Sequence, residues 1–86
     1  MYLHLGMDTV VRDEDIIGIF DMDSTTVSKR TRDFLNKAQR DGDVISVAED
    51  LPRSFVVCRD KTRSSGHAVY LSQITPQTLM RRGKNL

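Results

Sequence analysis

The sequence predicts a small α+β domain: a mainly antiparallel β-sheet with one amphipathic helix at about residues 27–41 and a short C-terminal helix at about 76–82. Three observations predict it. Short runs of β-branched and aromatic residues recur at strand length along the chain. The apolar period changes from alternation to a helical stripe after Ser24. The chain has 86 residues, enough for one domain and not two. A chain of this size buries only about 60–65% of its unfolded surface, so support from a partner subunit is expected.

"YLHLG" (2–6) sets Tyr2 and His4 against Leu3 and Leu5, and "TVV" (9–11) follows Gly6 after a tight connection, which predicts a hairpin. "IIGIF" (16–20) is apolar on both faces. Val27, Thr31, Phe34, Leu35 and Ala38 then fall on one helical stripe, with Lys29, Arg30, Arg32, Asp33, Lys37 and Arg40 outside it. The oxygen-bearing side chains of "DSTTVS" can cap the start of this helix, and Gly42 can end it. "DVISVAE" (43–49) and "SFVVCRD" (54–60) read as strands, separated by "EDLPR", where Pro52 forbids a continuous ladder. A polar loop (60–66) leads to the alternating "HAVYLS" (67–72). Thr75 as N-cap, Pro76 at the first helical position, an Ile74 to Leu79 staple and Gly83 as stop predict the last helix. The domain spans 1–82, and 83–86 reads as a flexible tail.

Two strands apolar on both faces need more cover than one helix supplies, since an antiparallel sheet packed on one side leaves the other to solvent. The short terminal helix covers part of the second face, and self-association is expected to cover the rest.

Charge is polarised along the chain. Residues 1–23 hold one base against six acids, net −5, while residues 24–86 hold twelve bases against six acids, net +6. Basic side chains group at Lys29, Arg30, Lys37 and Arg40, at Arg53, Arg59, Lys61 and Arg63, and at Arg81, Arg82 and Lys84. They predict a basic side opposite an acidic hairpin, suited to a polyanion such as duplex DNA.

The one cysteine, Cys58, excludes an intrachain disulfide and favours a small core side chain in the reducing cytoplasm. "MYLHLGMD" has no leader pattern, and no apolar run nears the ~20 residues of a membrane span, so a soluble cytoplasmic protein with its native N-terminus is expected. "GIFDMDSTTVS" (18–28) resembles the opening motif of the haloacid dehalogenase phosphatases, with Asp21 as nucleophile and Asp23 as proton shuttle. That chemistry also needs a doubly wound sheet, whose parallel crossovers use about 30 residues or more each. Asp21 and Asp23 are therefore expected to end a strand and favour a helix N-terminus. His4 and His67 lack ligands at metal-binding spacing and read as strand-surface residues. No catalytic residue, metal, cofactor, membrane or small-molecule substrate is expected.

"YLHLG", "DIIGIFDMDSTTVSKRTRDFL", "AEDLPRSFVV" and "VYLSQITPQTLMRR" resemble, in order and over residues 1–82, the RemA/RemB family of bacterial extracellular matrix regulators, and its RemB branch above all. The resemblance implies a β-rich α+β domain that assembles into a ring-like homo-oligomer, binds duplex DNA and switches on biofilm matrix genes in Gram-positive bacteria. It also implies that the Asp21 segment has no phosphatase machinery around it. The chain departs from the RemA branch at one turn, reading "EDLPR" where that branch is arginine-rich. The expected phosphate contacts, in order, are Arg53, Arg59, Arg63, Arg30 and Lys29. The alternative is an oligomeric scaffold or regulator of the same fold that binds a protein partner through its acidic residues.

Overall fold

The computed structural model describes residues 1–22 and 28–83. In chain order it contains β1 (Tyr2–Gly6), β2 (Thr9–Arg12), a 3-10 turn (Asp13–Asp15), β3 (Ile16–Asp21), α1 (Lys29–Arg40), β4 (Val44–Ser46), β5 (Ser54–Arg59), β6 (His67–Ser72) and α2 (Pro76–Arg82). Strands β1 and β2 pair as an antiparallel hairpin. The other four form one sheet in the order β3-β5-β6-β4, antiparallel except for the parallel pair β4 and β6. No described helix is long and apolar enough to cross a membrane.

The alternation of β5 sends its side chains to two cores. Val56 and Cys58 pack with Leu3, Leu5, Val11 and Leu79, which brings the hairpin and α2 onto one face of the sheet. Phe55 and Val57 pack with Val69, Leu35 and Ala38, which brings α1 onto the other. The second face therefore needs no partner subunit: the hairpin, which sequence reading had paired but not placed, covers it together with α2. Removing leucines as buried as Leu5 and Leu79 from water contributes about 1.5–3 kcal/mol each.

Both faces of β3 are apolar for a different reason. Its register against β5 slips between Ile16, opposite Cys58, and Gly18, opposite Val57, leaving Ile17 as the extra residue of a bulge. Ile16 and Ile19 reach the hairpin core, whereas Ile17 and Phe20 lie on the α1 side with Phe55 and Val57. Gly18 lets the Phe20 ring lie against the strand, since a Cβ there would stand 2.7 Å from that ring. Phe20 in turn stacks on Phe55 at 4.8 Å between centroids, with planes 15° apart.

Both helices begin and end where local chemistry dictates. The Ser28 hydroxyl accepts from the Thr31 amide at 3.2 Å and caps α1. The predicted start at Val27, together with Asp23 and the rest of "DSTT", lies outside the described residues. Asp21 ends β3, seven positions before that cap. Gly42, at φ +76°, closes α1 in a Schellman motif. In it the Gly42 amide reaches the Gln39 carbonyl at 3.2 Å and the Asp43 amide the Ala38 carbonyl at 2.9 Å. In α2 the Thr75 hydroxyl accepts from the Thr78 amide at 3.4 Å, Pro76 opens the first turn, and Gly83 follows the last.

Two buried serines, opposite one another on β5 and β6, fasten the end of the sheet. Ser54 donates to the Ile74 carbonyl at 2.7 Å, while Ser72 donates to the Leu5 carbonyl at 2.5 Å and accepts from the Ile74 amide at 3.1 Å. Ser72 thus joins hairpin, sheet and the approach to α2. Ser72→Ala leaves a buried carbonyl and an amide without that partner and is expected to cost about 1–3 kcal/mol. Urea titration should show a lower midpoint at an unchanged slope.

Candidate nucleic-acid interface and the groove beside it

The five expected contact residues fall at the two ends of β5. Helix α1 starts beside Phe20 and Phe55, where Arg30 lines the open space, and ends beside Asp41, Asp43 and Ser65. Lys29 and Arg30 are exposed in its first turn, which contains no acid. Arg53 stands just before β5 at the same end of the sheet, its amide donating to Ser72 and its carbonyl accepting from Met22. Arg59 and Arg63 lie at the other end, roughly 20 Å along the strand direction at about 3.4 Å per residue.

The far pair meets acids. Arg59 donates to the Glu14 carbonyl at 3.4 Å and stands 3.7 Å from the Asp15 carboxylate. Arg12 pairs with Glu14 in the same pocket, which Asp60 and Lys61 also line. The acidic turn after the hairpin is thus interleaved with the basic residues of β5 and the following loop, and not set opposite them. A sequence tally of charge halves misses this because the 3-10 turn folds back beside the end of β5.

Arg63 is committed further. It donates to the Asp60 carboxylate at 3.1 Å, to the Asp43 carboxylate at 3.3 Å and to the Gly42 carbonyl at 3.0 Å. Asp43 is buried and also accepts from the Ser65 hydroxyl at 2.6 Å, so this network fastens the 60–66 loop to the end of α1. Hydrogen bonds from the Thr62 hydroxyl and amide, then from Arg63, hold the Asp60 carboxyl below its usual range. Lys37 is engaged with Asp41 at 2.8 Å. An exposed i,i+4 pair contributes only about 0.3–0.5 kcal/mol and leaves that ammonium within reach of other anions.

Between α1 and the edge strand β3 runs an open apolar groove of about 320 Å³, lined by Ile17, Phe20, Phe34, Phe55 and Val57. Among the described residues Arg30 is the one Lys, Arg, Asp or Glu side chain lining it, and His67 lines it too, its ring meeting Phe34 edge-on at 6.5 Å. Sequence reading assigned Phe34 to the buried stripe of α1, but it is 38% exposed. The groove had no sequence signal of its own, because its residues come from four separate segments.

Cys58 is buried in the hairpin core, as expected, and burial, followed by the charges of Asp15 and Asp60, pushes its thiol up to about 11. His4 is exposed and bonds the Met7 carbonyl at 2.6 Å. Among the described residues no three His, Cys, Asp or Glu side chains converge as a metal site.

The described residues define a small α+β domain with cationic side chains at both ends of β5 and an apolar groove between α1 and β3. The chain belongs to the RemA-like family, described as extracellular matrix regulatory protein A-like, which residues 2–82 match. It is also similar to extracellular matrix regulatory protein B of Bacillus subtilis strain 168: 33% identical over 84 residues, covering 98% of this chain and 91% of that relative. The resemblance drawn from the sequence segments is therefore correct.

Three outcomes follow from this geometry. With the unfolded thiol at 9.0 and the folded one at about 11, Cys58 contributes stability that is complete below pH 9.0 and lost as pH rises through about 11. A thiol reagent at about pH 8 should label the native protein slowly and the urea-unfolded chain rapidly. Arg63→Ala, which strands the buried Asp43 carboxylate, should lower the thermal midpoint, whereas Lys29→Ala should leave it unchanged.

Proposed function

We propose that this protein is a non-enzymatic regulator of extracellular matrix genes that binds duplex DNA as a ring-like homo-oligomer. Membership of the RemA-like family and its likeness to extracellular matrix regulatory protein B support the regulatory role. The observation that carries the DNA contact is the first turn of α1. Lys29, Arg30 and Arg32 crowd the positive end of a helix dipole with no acid in that turn, an arrangement that disfavours the helix and favours an anion. Arg53 stands at the same end of the sheet. Lys29, Arg30 and Arg53 are the principal phosphate contacts in this reading, Arg59 contributes from the far end, and Arg63 acts through the loop it holds. In a ring these contacts repeat with each subunit, so a nearly neutral protomer still binds a polyanion through effective concentration.

A regulator that binds a protein partner is the second reading, favoured by the exposed acids Glu49 and Asp50 in place of an arginine-rich turn. Fluorescence anisotropy of a labelled duplex of about 40 base pairs, titrated at several salt concentrations, separates the two. The DNA reading expects saturable binding whose log affinity falls by about 0.9 per neutralised phosphate for each unit of log salt. Lys29→Glu with Arg30→Glu should weaken binding at least tenfold and flatten that slope, and Arg53→Glu with Arg59→Glu should act in the same direction. Absence of binding at low salt would favour the protein-partner reading.

A further inference from the structure

The crossover loop between β4 and β5 carries a side chain that its own protomer does not use. Leu51 is 79% exposed, the most exposed of the large apolar side chains described. The loop beneath it is held at both ends. Val47 donates to the Leu71 carbonyl at 2.9 Å, the Glu49 amide to the Gln73 side chain at 3.1 Å, and the Arg53 amide to the Ser72 carbonyl at 2.7 Å. Pro52 fixes the backbone beside it. Leu51 is thus presented on a braced turn, and a contact made there loses little loop entropy. The two residues before it, Glu49 and Asp50, are exposed acids.

The groove between α1 and β3 has the converse character. It is apolar along its floor, with Ile17 59% exposed, and among the described residues no carboxylate lines it. Its volume of about 320 Å³ sits near the roughly 300 Å³ lower end of small-ligand sites and suits one or two aliphatic side chains. Arg30, which lines it, is opposite in sign to the two acids that precede Leu51.

We infer that Leu51 of one subunit inserts into this groove on the next, with Glu49 and Asp50 facing Arg30. The inference rests on the homo-oligomeric reading above and deepens it by naming the contact. Leucine and groove have no residue in common, so each pairs with the other and not with itself, and repeated head-to-tail the contact closes into a ring when the rotation permits. It also gives the acidic turn a role in assembly. Arg30 lies at the edge of this contact, so its charge is shared there between these acids and the DNA phosphate, and the neighbouring Lys29 stands at each junction between subunits.

Mass measurement by light scattering tests it, on wild-type protein, Leu51→Asp and Phe34→Glu, separately and mixed. Wild-type protein should be oligomeric at micromolar concentration. Either variant alone should be monomeric, because burying a leucine accounts for about tenfold to a hundredfold in affinity per contact. Mixed together, the variants should form a dimer and no larger species, since one intact leucine and one intact groove remain between them. That recovery also shows that both variants fold. A wild-type monomer would overturn the inference and the homo-oligomeric reading together. Oligomers that survive Leu51→Asp, or a mixture that stays monomeric, would overturn the inference and leave the homo-oligomeric reading standing, and the DNA titration is read independently of all three.

Discussion

Burial of β5 on both faces is the constraint from which the rest of the architecture follows. Ser54 through Cys58 are all buried, so the sheet needs a layer on each side. The hairpin and α2 together supply one, wide enough to enclose Leu3, Leu5 and Leu79. The other is α1 alone. A helix is about 10–12 Å across, whereas four strands about 4.8 Å apart span more than that, so a single helix cannot cover the sheet. Its buried contacts go to Phe55, Val57 and Val69 on the central strands. The α1 side of the edge strand β3 remains open, and that is the groove.

The bulge at Ile17 makes the opening apolar. Without the extra residue β3 would alternate regularly against β5, and Ile17 would not share a side with Phe20. An edge strand with exposed apolar side chains invites pairing with another chain, and the bulge limits this by breaking the ladder while concentrating the apolar surface in one place. The fold thus gathers these apolar side chains into one local surface of defined shape.

Charge follows the same division. At the end of the sheet where β5 finishes, Arg59 and Arg63 meet Asp15, Asp43 and Asp60 and hold loops together. At the end where β5 starts, the first turn of α1 carries cations without acids. The near-neutral total of +1 conceals this difference, because the acids that engage Arg59 and Arg63 lie where β5 finishes, whereas Asp21, opposite Ser54, and the exposed Glu49 and Asp50 lie toward its start.

Element identity was legible because it depends on local periodicity and local capping. The hairpin strand at Tyr2–Gly6, the strand at His67–Ser72 and the helix at Pro76–Arg82 were readable from alternation, from Gly6 and from the Thr75–Pro76 start with its Gly83 stop. Family membership was legible for a similar reason, since it rests on the order of segments along the chain. The three-residue β4, predicted longer, was set by how far it runs beside β6. Which face the hairpin covers, the partners of Arg63, and the meeting of Ile17, Phe34 and Phe55 in one groove were decided only by tertiary structure. Such contacts join residues tens of positions apart, and periodicity within a segment carries no information about which other segment will lie against it. The sequence by itself determined the elements, the helix stops at Gly42 and Gly83 and the family; packing around β5 decided how far β4 runs, which charges are engaged and which apolar side chains are left facing solvent.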